Sequence, residues 1–240
     1  KVVHCGTSAA AHINNNSRGV SIHCHRCGHT DWQEHGKMGL AEILRYRKND
    51  EVLYHQSYPV VVPMKDAPPE AQVWLLKAGL APEEATEEYN IGWSSKTNRV
   101  ILPIEHNGTA FVARAVHPAQ KPKYVVSRDA RGLAYARKGR HDKPTVVVED
   151  ILSAIKVNKA QYSSVAILGT NPNMQQVHAA TLMGNGDIVG WFDADMAGEH
   201  AYTKLRGLCS VLGARLDKVV TVHDPKFCTV CEIGEVVGVH

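Results

Sequence analysis

The chain has 240 residues, of which 44% are hydrophobic, so it can bury a core of one large domain or two smaller ones. Lys and Arg number 27 against 24 Asp and Glu, and the net charge of +3 does not by itself indicate a polyanionic partner. No apolar run approaches the roughly 20 residues that a membrane-spanning helix needs, which argues against a membrane protein.

A cysteine pattern marks the first part of the chain. Cys24-x-x-Cys27 is followed by Gly28, and an upstream Cys5 is also followed by a glycine, as tight metal-binding turns require. Thiolates at this spacing favour Zn²⁺ over disulfides in a chain without signs of secretion, although a reduced cysteine pair in a loop is the alternative. We predict a β zinc ribbon over residues 1–36 with Cys5, Cys24, Cys27 and His4 as ligands. Because His4 adjoins Cys5, other fourth ligands are His12, His23 and His29.

Residues 37–69 read as a helical tether followed by a proline-rich linker. Apolar residues recur at helical spacing from about residue 37 to 50, and prolines at 63, 68 and 69 then favour an extended connector. Helical patterns follow from Glu70 and from Pro82.

The pattern changes to strands after residue 91. Asn107-Gly108 separates two apolar runs and predicts a hairpin, and Lys and Arg then alternate with Tyr124 and Tyr135 between residues 120 and 140. Such a run suits a polyanion through phosphate contacts and base stacking, whereas an ordinary solvated face is the alternative for any single residue.

Two apolar runs near the end of the chain each lead into an acid and then a helix. Glu149 follows Thr145-Val-Val-Val, and Asp193 and Asp195 follow Ile188-Val-Gly-Trp-Phe. In a parallel α/β sheet the carboxyl ends of the strands share one edge, so these acids would form one carboxylate cluster that binds Mg²⁺ or Mn²⁺. A helix N-cap followed by a solvated acid is the alternative for the Asp-x-Asp pair.

Taken together, these motifs resemble the primase portion of bacteriophage replicative primases and primase-helicases. The order of zinc ribbon, linker, sheet-rich region and Toprim domain is similar over nearly the whole chain, and Glu149, Asp193 and Asp195 match the Toprim acids. Arg99-Val-Ile-Leu-Pro and Lys121-Pro-Lys123-Tyr124 are also similar to phage primase segments.

The resemblance implies an α/β protein with a small β zinc ribbon tethered to an α+β region and a Toprim-type parallel α/β domain. The expected domain boundaries are 1–36 for the ribbon, 37–69 for the tether and linker, 70–143 for the first part of the RNA polymerase domain and 144–240 for the Toprim domain. The expected catalytic residues are Glu149, Asp193 and Asp195, with Asp224 as a further magnesium ligand. The expected ligands of triphosphate or template are Arg99, Arg114, Lys121, Lys123 and Tyr124.

Two positions depart from the Toprim pattern. The usual Glu-Gly is Glu149-Asp150, and the acid that commonly lies four residues after the Glu is Ser153. No Gly-x-x-x-x-Gly-Lys-Ser/Thr stretch occurs, so no helicase motor of the usual kind is expected in this sequence.

The resemblance implies synthesis of short RNA primers from ribonucleoside triphosphates on single-stranded DNA, with structural Zn²⁺ and catalytic Mg²⁺ or Mn²⁺. A replicative helicase is the expected partner, and the cytoplasm of an infected bacterial host is the expected location. A Toprim nuclease and a non-catalytic zinc module that binds single-stranded DNA are the alternatives.

Overall fold

The computed structural model describes residues 11–16, 19–24, 30–34, 58–104, 109–221 and 223–238. The chain divides into two compact units, Lys1–Gln56 and Ser57–His240. Within the described ranges, none of the helices has the length and apolar character required to span a membrane.

The first unit contains one antiparallel sheet of three strands in the order β1-β2-β3. The strands are β1 (Ala11–Asn16), β2 (Gly19–Cys24) and β3 (Thr30–Glu34). The predicted zinc ligands Cys5, Cys27 and His4 lie outside the described residues, as do the predicted helix and most of the tether, and of Cys24 only its place at the end of β2 is described.

The second unit begins with an antiparallel sheet of five strands, β4 to β8, in sequence order. The strands are β4 (Val62–Pro63), β5 (Gly92–Ser94), β6 (Arg99–Pro103), β7 (Phe111–Ala115) and β8 (Tyr124–Val126). Pairing of Pro103 with Phe111 makes β6 and β7 the predicted antiparallel pair, while residues 105–108 of the turn are outside the described residues.

Two short helices precede β5. They are α1 (Pro69–Lys77) and α2 (Pro82–Glu87), and each begins with a proline, whose fixed φ and missing N–H suit the first helical turn. A short 3₁₀ helix, Met64–Asp66, lies before them and buries Met64 completely. Part of the proline-rich segment is therefore packed into this unit.

The second sheet has the strand order β13-β12-β10-β11-β9. Four of its strands are parallel, and β9 pairs antiparallel with β11 at one edge. The strands are β9 (Tyr135–Arg137), β10 (Thr145–Val148), β11 (Ser163–Ala166), β12 (Ile188–Trp191) and β13 (Leu216–Lys218). The predicted parallel α/β architecture is confirmed, and β9 extends this sheet upstream of residue 144.

Helices cover both faces of the second sheet. They are α3 (Ile151–Lys159), α4 (Met174–Thr181), α5 (Met196–Leu212) and α6 (Val230–Gly238). Val146 and Val148 of β10 pack in the apolar cluster that contains residues of α3 and α6, whereas Val147 packs in the cluster with α4 and α5. Burial on both faces explains why this strand is continuously apolar rather than alternating.

Candidate active site

Two acids converge at the carboxyl edge of the parallel sheet. Strands β10 and β12 are neighbours, with Val148 opposite Trp191, so the residues that follow them emerge side by side. Glu149 comes directly after β10, and its Oε1 accepts a hydrogen bond of 3.1 Å from the backbone N–H of Asp193. The structure therefore brings together two of the acids that the sequence singled out.

The electrostatics of these acids reflect burial and mutual repulsion. Burial raises the pKa of Glu149 to about 7, with a further contribution from the charge of Asp193. The pKa of Asp193 is also raised, first by burial and then by the carboxyl group of Asp224, which lies within hydrogen-bonding distance. Both ionised forms are thus disfavoured in the protein by itself, and a cation at this edge would stabilise them.

Asp195 has a different local role. Its Oδ1 accepts the backbone N–H of Gly198 at 2.8 Å, which makes it the N-cap of α5. Strand β12 ends at Trp191, before either aspartate, so strand alternation does not set the directions of the Asp193 and Asp195 side chains. Asp195 is exposed and close enough to raise the pKa of Glu149.

Gly198 fixes the position of Asp193, a role that the sequence did not reveal. A Cβ atom at residue 198 would lie 2.0 Å from the carbonyl oxygen of Asp193. The same carbonyl accepts the N–H of Asp195 at 2.8 Å. The first turn of α5 is therefore packed directly against the backbone that carries the acid.

Asp224 approaches the site from the loop after β13. Trp191, which is fully buried at the end of β12, donates its Nε1–H to the carbonyl of His223 at 3.1 Å. A 3₁₀ helix, Pro225–Phe227, follows Asp224 and packs on α3. This loop thereby carries Asp224 to the same edge as Glu149 and Asp193.

The two departures from the Toprim pattern contact each other. Asp150 is the N-cap of α3, and its carboxylate accepts the N–H of Ser153 at 3.1 Å and its hydroxyl at 3.0 Å. The same carboxylate lies 2.9 Å from Nζ of Lys226, which also pairs with Asp224. Burial lowers the pKa of Lys226, but the two carboxylates raise it by more, so this side chain is a cation. Sequence reasoning assigned Lys226 no role.

Arg114, a cationic residue of the antiparallel sheet, packs against two aromatic rings. The guanidinium carbon of Arg114 lies 4.6 Å from the ring centroid of Tyr124 and 5.7 Å from that of Trp74. Its Nε and Nη1 are buried without a hydrogen-bond partner in the described part of the chain. Burial lowers the pKa of Lys123, and so do nearby cations that include Arg114, whereas the charge of Asp193 raises it. Lys123 and Tyr124 thus lie close enough to Asp193 to interact with its charge, and Arg114 lies beside both of them. Their roles as ligands of triphosphate or template stay predictions.

Arg99 and Lys121 are placed differently from each other. Arg99 is only 6% exposed, and its Nη2 donates to the carbonyl of Pro122 at 2.7 Å. Its guanidinium therefore supports the segment that carries Lys123 rather than facing solvent. Lys121 is exposed and close enough to lower the pKa of Lys123.

The donor chemistry of the acid edge fits a hard divalent cation. Glu149, Asp193 and Asp224 offer carboxylate oxygens, the ligand type that Mg²⁺ and Mn²⁺ prefer. Among the residues that the structure describes, no group of three or more His, Cys, Asp or Glu is arranged to hold a metal ion by itself. Mg²⁺ commonly uses one or two carboxylates together with water and substrate phosphates, so an open acid edge suits it.

Comparison with known proteins agrees with this architecture. Residues 147–226 match a protein family described as Toprim-like. This stretch includes Glu149, Asp193, Asp195 and Asp224, so the prediction of a Toprim-type domain is confirmed. No curated protein matches the chain.

Solved structures of primases share the fold. The zinc-binding and RNA polymerase domains of the Aquifex aeolicus primase are 15% identical with a TM-score of 0.59, covering 97% of this chain and 79% of that chain. The primase fragment of the bacteriophage T7 primase-helicase is 14% identical with a TM-score of 0.52, covering 98% and 95%. A DnaG primase catalytic domain bound to single-stranded DNA is 19% identical with a TM-score of 0.50, covering 75% and 71%. The chain therefore has the fold of these primases.

Proposed function

We propose that this protein is a DNA primase that joins ribonucleoside triphosphates into short RNA primers on single-stranded DNA. The observation that carries the proposal is the convergence of Glu149 and Asp193 at the carboxyl edge of a Toprim-like sheet, beside the cations Arg114 and Lys123. An acid edge beside a cationic surface suits nucleotidyl transfer, which must hold several phosphates and one reacting centre.

The metal ligands in this proposal are Glu149 and Asp193, with Asp224 and Asp195 as further acids. When bound there, Mg²⁺ or Mn²⁺ would lower the pKa of the attacking hydroxyl and neutralise charge on the leaving pyrophosphate. Glu149 is also our candidate for the general base that accepts the hydroxyl proton.

The cationic residues would hold the phosphates of the triphosphate and the template. Arg114 has buried donors without a partner in the described residues, which is the state expected of a group that awaits an anionic ligand. Lys123 and Lys121 add charge along the same segment, and Tyr124 offers a ring for base stacking. Arg99 would act through its support of that segment.

The partners follow from the same proposal. One of the structures of similar fold holds single-stranded DNA, and another is part of a primase-helicase, which supports a DNA template and a replicative helicase partner. We assign structural Zn²⁺ to Cys5, Cys24, Cys27 and His4, in a module over residues 1–36 that would read template bases. A bacteriophage source is consistent with the domain order, which resembles that of phage primases.

Primer synthesis from labelled ribonucleotides on single-stranded DNA with Mg²⁺ tests the proposal. Glu149→Gln and Asp193→Asn keep side-chain shape and should each lower the rate by at least about a hundredfold. Asp142→Asn, an exposed acid paired with Arg140, is the control and should keep full activity. Full activity of both site variants would refute the site.

The same preparation separates the alternatives. DNA cleavage that needs no ribonucleotide would establish a nuclease instead. Metal-independent DNA binding without turnover would establish a binding module.

A further inference from the structure

Lys226 occupies an unusual place for a cation. Its Nζ lies 2.9 Å from Asp150 Oδ2 and also contacts Asp224 Oδ2, and its side chain is 20% exposed. Asp150 is itself held by two hydrogen bonds from Ser153 at the start of α3. The ammonium group is therefore fixed among the acids by a partner that is anchored to a helix, rather than extended into solvent.

The surroundings of Lys226 are the proposed metal site. Asp224 is one of its partners, and Asp193 lies within hydrogen-bonding distance of Asp224. A positive charge at this point attracts the same carboxylates that a divalent ion would attract, and it repels a second ion nearby. Lys226 thus supplies positive charge directly beside a proposed metal ligand.

We propose that the Lys226 ammonium is a resident cation of this active site, that it takes the place of one divalent ion, and that Asp150 positions it. An ammonium has three N–H donors, and two of them are directed at Asp150 and Asp224. The third is then available for a phosphate oxygen of the triphosphate.

The catalytic part of this inference rests on the proposed function. In that reaction the 3′-hydroxyl oxygen bonds to the α-phosphorus, the bond from that phosphorus to the bridging oxygen breaks, and pyrophosphate leaves. The hydroxyl proton passes to a base, and Lys226 keeps its protons while it offsets charge on the departing phosphates.

Mn²⁺ binding to the 240-residue chain, measured by electron paramagnetic resonance without nucleotide or DNA, tests the inference independently of primer synthesis. Lys226→Met should raise Mn²⁺ affinity at least about tenfold or add one bound ion, because repulsion between a unit charge and a divalent ion a few ångström away exceeds the about 1.4 kcal/mol that a tenfold change represents. Lys226→Arg keeps the charge and should bind Mn²⁺ as the parent protein does.

Lys159→Met is the matched control. Lys159 lies at the end of α3 opposite Asp150. Its side chain has a similar exposure of 24% and pairs with Glu84. It should leave Mn²⁺ binding unchanged, and circular dichroism should show that all variants are folded.

Each outcome decides between the two hypotheses. Tighter Mn²⁺ binding by Lys226→Met supports the resident cation, even if no primer is made, in which case only the proposed function fails. Unchanged or weaker Mn²⁺ binding by folded Lys226→Met overturns the inference, even if the parent protein synthesises primers.

Discussion

Substitution of Gly198 by alanine tests whether the first turn of α5 holds Asp193 in place. The new Cβ would lie 2.0 Å from the carbonyl oxygen of Asp193, whereas real Cβ atoms essentially never approach other atoms closer than 3.0 Å. The contact is with backbone, so no side chain can rotate away. The acid-bearing backbone or the helix must move by about 1 Å, and a displacement of this size at reacting groups can reduce a rate by about a hundredfold.

Two opposing effects determine how Gly198→Ala changes the free energy of unfolding, namely helix propensity and overpacking. Alanine is better than glycine inside a helix by about 1 kcal/mol, whereas overpacking costs about 1–3 kcal/mol. We therefore expect Gly198→Ala to lose up to about 2 kcal/mol of unfolding free energy. In a domain of this size each kcal/mol corresponds to about 2–4 °C in Tm.

Gly207→Ala is the matched control in the same helix. A Cβ at Gly207 would meet no atom within 4 Å, so only the propensity gain remains. This variant should be about 1 kcal/mol more stable and should keep the parent activity. Primer synthesis and thermal unfolding are measured on both variants. Parent-level synthesis and stability of Gly198→Ala would refute the close packing of α5 against Asp193.

Three further predictions concern other contacts. Trp74→Leu removes one of the two rings at the Arg114 guanidinium and should raise the KM for ribonucleotides about threefold to tenfold. Trp74→Phe keeps a ring there and should have the parent KM. An unchanged KM in Trp74→Leu would contradict the positioning of Arg114 by Trp74. Gln176→Leu removes a buried amide that donates to two carbonyls and helps to cap α4. The free energy of unfolding, measured with urea, should fall by about 2–3 kcal/mol. A loss below about 1 kcal/mol would be inconsistent with these hydrogen bonds. A maleimide should label exposed Cys231 and spare Cys209 in the native protein, because burial raises the pKa of Cys209 to about 11; native labelling of Cys209 would disprove its burial.

Several elements could be predicted because their signals are local. Prolines at the starts of α1 and α2 and the valine run of β10 each reflect backbone or burial preferences of a few neighbouring residues. The acids after β10 and β12 were found for the same reason, since an apolar run followed by an acid and a helical pattern is visible within about ten residues. The zinc module and the roles of individual site residues stay predictions.

The capping roles show where a local signal was present but ambiguous. An aspartate directly before a helical pattern is typical of an N-cap, and both Asp150 and Asp195 do cap helices. Metal binding at Asp195 stays a prediction, and the structure adds that β12 ends at Trp191, so this aspartate lies between the strand and α5. Element ends depend on tertiary packing and are less well determined than element types.

By itself, the sequence determined that this is an α/β protein with a Toprim-type sheet and acids at the carboxyl ends of its strands. Only the tertiary structure decided that Glu149 and Asp193 lie in contact. Their contact requires β10 and β12 to be adjacent strands, and strand order is a property of the whole sheet rather than of either segment. The same holds for Lys226, which pairs with Asp150 although 76 positions separate them in the chain. Such contacts depend on how distant strands and loops are arranged in space, and no short stretch of sequence contains that information.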